Sequence, residues 1–226
     1  MSGTTWHCAV CGAPARAPFH APEPEIGPDL DLRPGEPARS MLQDWLQSCG
    51  SCGAVAPDLS ALPPAARPVV ESTGYRALVT QFSEETLPFR RWAMICRAAG
   101  DAAEAIEATL QAAWAADDAA NMTEAAALRR EVAAQWDASG DPAIALRALD
   151  AVRRAGDFAA AESRAAKLHR SDAAGAAIVG FQQARIAARD VGRHLLSAAL
   201  PPSEHGPRVP AVMQPLPKFW ARLFGH

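Results

Sequence analysis

Apolar residues recur at helical spacing along most of the chain after residue 68. The first stretch, at about residues 69–82, predicts a helix whose apolar stripe holds Tyr75, Leu78, Val79 and Phe82. Similar spacing in FRRWAMICRAAG, DAAEAIEATLQAAWAAD, EAAALRREVAAQWDASG, PAIALRALDAVRRAG and FAAAESRAAKLHR predicts five more helices, and a long final helix is expected at about 172–199. Because many of the apolar residues are alanine, we expect these helices to pack closely.

Glycine followed by aspartate separates the predicted helices at Gly100-Asp101, Gly140-Asp141 and Gly156-Asp157. A glycine can end a helix in the left-handed conformation, and the aspartate can accept backbone N–H bonds at the start of the next helix. Over residues 86–170 this pattern resembles a degenerate tetratricopeptide array. The spacing of these marks is irregular, so a regular solenoid is not implied.

The N-terminal part has a different pattern. Residues 13–40 are crowded with proline, which opposes helix formation and indicates an inserted loop. The segment MLQDWLQSCGSCG is interpreted as a short strand, and ALPPAARP as a connector. We therefore predict an N-terminal module at 1–67, a helical domain at 68–200 and a proline-rich tail at 201–226. The fold class is mostly α with a small β module.

Four cysteines carry the most specific chemical signal. Cys8 and Cys11 lie in CAVCG, and Cys49 and Cys52 lie in CGSCG. Two C-x2-C turns can offer four thiolates to one Zn²⁺, and the glycine after each pair leaves room for backbone N–H groups near the sulfurs. We predict one structural zinc ion in a zinc ribbon. A shell of four thiolates is closed to substrate, so the site should stabilise the module without catalysing a reaction.

Charge and composition narrow the functional classes. The net charge is −3, and residues 1–67 hold four arginines against seven acidic residues, so the phosphate-neutralising surface of a nucleic-acid binder is not expected. The sequence has no secretory signal pattern and no apolar run of membrane-spanning length. We expect a cytoplasmic protein, in which paired cysteines are typically reduced or metal-bound.

Two clusters of charged residues are candidates for further sites. The segment around PDLDLRP supplies Asp29, Asp31, Arg33 and Arg39; it is interpreted either as a structural turn with arginines bonded to carboxylates or carbonyls, or as a loop that contacts a partner. Asp190 and His194 lie four residues apart in the predicted last helix, where an ion pair is favoured over a proton relay. Signatures of the main enzyme classes are absent from the sequence.

The order of CxxCG, PDLDLRP, DWLQSCGSCG and a helical part with QAAWAADD is similar to that in uncharacterised bacterial zinc-ribbon proteins with tetratricopeptide-like tails. The similarity extends from residue 8 to about residue 195. It implies an architecture, with Cys8, Cys11, Cys49 and Cys52 as metal ligands and the helices as an interaction array. The similarity implies no enzymatic reaction.

Three hypotheses follow from the sequence. The leading one is a non-enzymatic zinc-binding adaptor whose helical array binds a protein or peptide. The alternative is a nucleic-acid-associated ribbon with stacking aromatic residues and phosphate-binding arginines, namely Trp6, Phe19, Trp45, Arg16, Arg33 and Arg39. The third is an enzyme that uses Asp31 or the Asp190–His194 pair. An apolar cluster around Phe219 and Trp220 is expected to dock on the helices or to bind a partner or membrane surface.

Overall fold

A computed structural model describes residues 5–168 and 173–200. The protein is mostly helical, with a small N-terminal β region that bears the cysteine cluster. The predicted fold class is therefore confirmed. The C-terminal tail and its apolar cluster lie outside the described residues. No helix in the described ranges is both long and apolar enough to cross a membrane.

The contacts divide the described chain into two compact units. The first unit contains residues 5–21 and 41–124, and the second contains residues 22–40 and the described residues from 125 onward. The middle of the segment between the two cysteine pairs, residues 22–40, thus belongs to the second unit. This division differs from the predicted domain boundary at residue 67. That boundary separates parts that are expected to fold independently, and it stays a prediction.

The β region of the first unit consists of two short antiparallel hairpins. Strand β1 (Trp6–His7) pairs with β2 (Pro14–Ala15), and β3 (Gln47–Ser48) pairs with β4 (Val55–Ala56). In both hairpins the residue before the first cysteine is paired with the second residue after the knuckle glycine. The two hairpins therefore repeat the same local structure.

The residues that precede β3 are helical, which corrects the predicted strand. They form a 3₁₀ helix, Arg39–Trp45. Leu42 and Trp45 are both buried, and residues three apart lie on the same side of a 3₁₀ helix. The apolar spacing that suggested two faces of a strand therefore also fits this tighter helix.

The first unit continues with four helices: α1 (Ala66–Glu71), α2 (Thr73–Ala77), α3 (Leu87–Ala98) and α4 (Ala102–Asp118). The single helix predicted at 69–82 is interrupted at Ser72. This residue has an extended backbone, and its hydroxyl oxygen accepts a hydrogen bond from the backbone N–H of Tyr75. Ser72 thus ends α1 and caps α2. Helices α3 and α4 form a hairpin around buried Phe89, Ile95, Leu110 and Trp114.

Helix α5 (Met122–Trp136) begins in the first unit and continues in the second. The second unit also contains α6 (Pro142–Arg154), α7 (Phe158–Lys167), α8 (Ala173–Ala187) and the short α9 (Leu196–Ala199). Helices α6, α7 and α8 pack against one another around Leu149, Ala161 and Ile178.

The helix boundaries agree with most of the glycine–aspartate prediction. Gly100 and Gly156 have positive φ angles, and the aspartates after all three glycines cap the next helix. Gly140 lacks the predicted left-handed backbone, because α5 already ends at Trp136.

The predicted final helix is shorter than expected. Helix α8 ends at Ala187, Arg189 has φ 50°, and the N–H groups of Arg189 and Asp190 bond back to the carbonyls of Ile186 and Arg185. This arrangement is a Schellman-type helix end. The Asp190–His194 segment is therefore a loop.

Candidate metal centre

Each cysteine pair lies in a knuckle with the same backbone hydrogen bonds. The N–H of Cys8 bonds to the carbonyl of Ala13, and the N–H of Cys49 bonds to that of Ala54, both at 2.8 Å. The N–H groups of Gly12 and Gly53 close each turn on the carbonyl of the first cysteine. Both glycines have left-handed backbones, with φ 76° and 74°. A side chain at either position would strain the knuckle.

The two knuckles face each other and bring four sulfur atoms together. Cys8 Sγ lies 3.8 Å from Cys52 Sγ, and Cys11 Sγ lies 3.6 Å from Cys49 Sγ. All four sulfurs lie within 4.8 Å of one another. Four zinc–sulfur bonds of about 2.3 Å in a tetrahedron separate the sulfurs by about 3.8 Å. The cysteine cluster could therefore hold a metal ion of this kind.

The surroundings of the thiols differ within the cluster. Burial raises the pKa of Cys52 to about 12 and also raises that of Cys8. At Cys49 burial acts in the same direction, but the backbone N–H groups of Cys52 and Ser51 outweigh it and lower the pKa to about 7. Four neighbouring thiolates repel one another, so a bound cation is required to hold all four in the deprotonated form.

Two side chains from the rest of the first unit support the metal centre and its module. The hydroxyl of Tyr75, in α2, donates a hydrogen bond of 2.9 Å to the carbonyl of Gly53 in the second knuckle. Trp45 packs edge to face against Trp114 of α4, with ring centroids 6.2 Å apart. The second knuckle and the 3₁₀ helix before it are thus fixed to the helices that follow.

The position of Trp45 bears on the nucleic-acid alternative. Its side chain is 5% exposed, so the ring is not available to stack on a base in this conformation. Trp6 and Phe19 are both partly exposed, and Arg16 is exposed. Arg33 and Arg39 are buried, so two of the three predicted phosphate-binding arginines are also withdrawn from the surface.

The predicted contact residues Asp29, Asp31, Arg33 and Arg39 are buried in the second unit. Arg39 bonds to the Asp29 carboxylate at 2.5 Å, and Arg33 donates to the carbonyl of Arg39 at 3.4 Å. This is the arginine bonding expected of a structural turn. A partner could reach these side chains only after the segment had left this position, and their role in partner contact stays a prediction.

Asp31 is the centre of a larger buried ionic cluster. Its carboxylate lies 3.0 Å from Arg154 of α6 and 4.0 Å from Arg129 of α5, and its backbone carbonyl accepts a hydrogen bond from Arg147 of α6 at 3.2 Å. A buried carboxylate is tolerated when cations and hydrogen-bond donors surround it. The cluster anchors residues 22–40 to the helices of the second unit.

The same segment also makes backbone bonds within this unit. The N–H of Leu30 bonds to the carbonyl of His194, and the N–H of Leu196 bonds to the carbonyl of Pro28. Leu32 follows in the turn from Asp29 to Arg33 and is buried with φ 66°, a backbone conformation that a leucine rarely adopts. The surrounding bonds hold this strained turn in place.

The Asp190–His194 pair is formed, at 2.9 Å between carboxylate and imidazole. Asp190 also accepts the backbone N–H of Gly192, and this bond is the main reason that its pKa is lowered. Arg153 donates to the carbonyls of Asp190 and Gly192. These contacts shape the loop after α8, so the predicted Asp190–His194 contact is present but lies in a loop and not on a helix surface.

Sequence reasoning missed the partners of Asp31 and the role of Tyr75. A signal for the former was present in α6, where Arg147, Asp150, Arg153 and Arg154 interrupt an otherwise apolar pattern and are all buried. Tyr75 fits the predicted apolar stripe, and nothing in the sequence relates its hydroxyl to Gly53.

Comparison with known proteins gives no match, since no protein-family model, curated protein or solved structure is significantly similar to this chain.

Proposed function

We propose that this protein is a non-enzymatic adaptor in which one structural Zn²⁺, bound by Cys8, Cys11, Cys49 and Cys52, holds the ribbon on a helical scaffold that binds a protein or peptide. The observation that carries the metal part is the sulfur geometry, with 3.6 and 3.8 Å between facing sulfurs. A bound zinc ion would cross-link the two knuckles and would have no open coordination position.

The adaptor part is supported by the way the ribbon is built into the first unit. The Tyr75–Gly53 bond joins the second knuckle to α2, and the Trp45–Trp114 contact joins the 3₁₀ helix before β3 to α4. A surface composed of ribbon and helix is thereby held in one arrangement, and rigid presentation lowers the entropic cost of binding a partner. The sequence resemblance to zinc-ribbon proteins with tetratricopeptide-like tails implies the same combination of ribbon and helices.

Zinc-dependent binding of a partner tests this function. The zinc-loaded full chain and its Cys11→Ser variant are used as baits in extracts of the native host, and each recovered protein is then purified and titrated directly. We expect a direct partner whose affinity falls in the variant. The adaptor proposal is wrong if no recovered protein binds the purified wild-type chain.

A further inference from the structure

A crevice of about 290 Å³ lies in the first unit, beside the ribbon. It is bounded by the segment after β4, the C-terminal half of α3 and the first turn of α4. Pro57, Pro63, Trp92 and Cys96 supply apolar walls. A cleft of this size, with apolar walls and a few polar groups, is suited to a small group of roughly side-chain size.

Three acidic residues, Asp58, Asp101 and Glu104, also line this crevice, and none of the described residues lining it is basic. Each carboxylate is oriented by a local hydrogen bond. Asp58 accepts the N–H and hydroxyl of Ser60 at 2.8 and 2.6 Å, and Asp101 accepts the N–H of Glu104 at 3.1 Å. Glu104 accepts the indole N–H of Trp92 at 3.3 Å.

The spacing of these carboxylates argues against a compact metal ion. Among the described residues, the four cysteines form a group of metal-ligating side chains close enough to share one metal ion. The acidic residues of the crevice do not form such a group. A larger cation with several separated donors fits three dispersed carboxylates better. A guanidinium group has five N–H donors in one plane and also stacks on aromatic rings such as that of Trp92.

We propose that this crevice binds a guanidinium group on an aliphatic stem, as carried by an arginine side chain of a partner peptide or by a free alkylguanidine. The proposal for a peptide rests on the proposed adaptor function and names the partner's chemistry. The apolar walls take the stem, and the carboxylates of Asp58, Asp101 and Glu104 accept the N–H groups. Partial burial excludes water from these charged hydrogen bonds and strengthens them.

The test is calorimetric titration of the zinc-loaded full chain with three probes at low salt: acetylated and amidated Gly-Gly-Arg-Gly-Gly, the same peptide with neutral citrulline, and agmatine. We expect the arginine peptide to bind, the citrulline peptide to bind at least about tenfold more weakly, and the affinity to fall with salt. The indole N–H resonance of Trp92, assigned with Trp92→Phe, should shift during the titration.

A double variant removes charge from the crevice while keeping the local bonds. Asparagine still caps a helix, so Asp101→Asn combined with Glu104→Gln should preserve the fold by circular dichroism but weaken arginine binding at least about tenfold. The control is Glu71→Gln, which removes an exposed carboxylate of α1 in the same unit and should leave binding unchanged.

The outcomes separate this proposal from the adaptor function. Binding of the arginine peptide supports both, whereas binding of agmatine alone supports the guanidinium site and overturns its assignment to a peptide. If neither probe binds, or if the double variant binds as well as wild type, the crevice proposal is overturned. The adaptor function is then still decided by its own partner titration.

Discussion

Replacement of Asp31 by alanine should destabilise the second unit more than most single changes in this chain. The carboxylate is fully buried and lies 3.0 Å from Arg154 and 4.0 Å from Arg129. Removing it leaves buried guanidinium groups without this counter-charge, and breaking a buried ion pair on one side typically costs about 3–5 kcal/mol. We expect a loss of this order in the free energy of unfolding.

The chain offers a matched control for this prediction. Asp137 pairs with Arg164 at 2.5 Å, but their side chains are 56% and 26% exposed. Exposed pairs contribute about 0–1 kcal/mol, so Asp137→Ala should have a small effect. Both variants are compared with wild type by urea unfolding, followed by far-UV circular dichroism and by amide hydrogen exchange at Leu30 and Leu196.

Amide hydrogen exchange tests whether the loss in the free energy of unfolding arises around Asp31. The amides of Leu30 and Leu196 bond residues 22–40 to the loop and helix around His194, so their protection should fall in Asp31→Ala and persist in Asp137→Ala. The reasoning is refuted if Asp31→Ala unfolds at the same urea concentration as Asp137→Ala, because the buried cluster would then contribute no more than an exposed pair.

Three further outcomes are expected. Gly35→Ala should destabilise the second unit by about 1–3 kcal/mol, because the added Cβ would lie 2.1 Å from the carbonyl oxygen of Ile26, whereas Gly27→Ala meets nothing within 4 Å; equal urea midpoints for the two variants would contradict this. Burial and the neighbouring Asp31 raise the pKa of Asp29 to about 6 despite Arg39. Its folded form thus binds a proton more tightly than the unfolded chain, whose pKa is about 3.9. The stability that this proton contributes is full below about pH 4 and is lost as the pH rises through 6. Urea unfolding across this pH range should therefore show a decline in the stability of the wild type that Asp29→Asn reduces. Identical pH profiles for the two proteins would oppose the assignment. Chelation of the proposed zinc should deprotect the amides of α2 and α4 more than those of α6 and α8, since Tyr75 and Trp45 join the N-terminal module to the former; unchanged hydrogen exchange in α2 and α4 would contradict this.

The part of this structure that could be predicted from the sequence rests on local rules. The cysteine spacing with Gly12 and Gly53 defines the knuckles because it fixes ligand type and backbone conformation together. Gly100-Asp101 and Gly156-Asp157 mark helix boundaries for a similar reason, since a left-handed glycine and a capping carboxylate act within one turn of chain.

The features that could not be predicted depend on contacts between distant residues. Asp31 and Arg154 are 123 positions apart, so their pairing cannot be inferred from spacing, and the charged PDLDLRP segment was open to interpretation as an exposed loop. Ser72 and Trp45 show a second difficulty. Apolar spacing of three or four residues fits an uninterrupted helix, two short helices or a 3₁₀ turn, and tertiary packing decides among them.

Elemental analysis combined with zinc-edge X-ray absorption tests the central claim most directly, on full-length protein purified without chelator. We predict one zinc ion per chain with four sulfur neighbours at about 2.3 Å, and loss of this stoichiometry in Cys8→Ser but not in Cys96→Ser, which alters the buried cysteine outside the cluster. Protein without stoichiometric metal, with iron in place of zinc, or with nitrogen or oxygen ligands in the first coordination sphere would contradict the account.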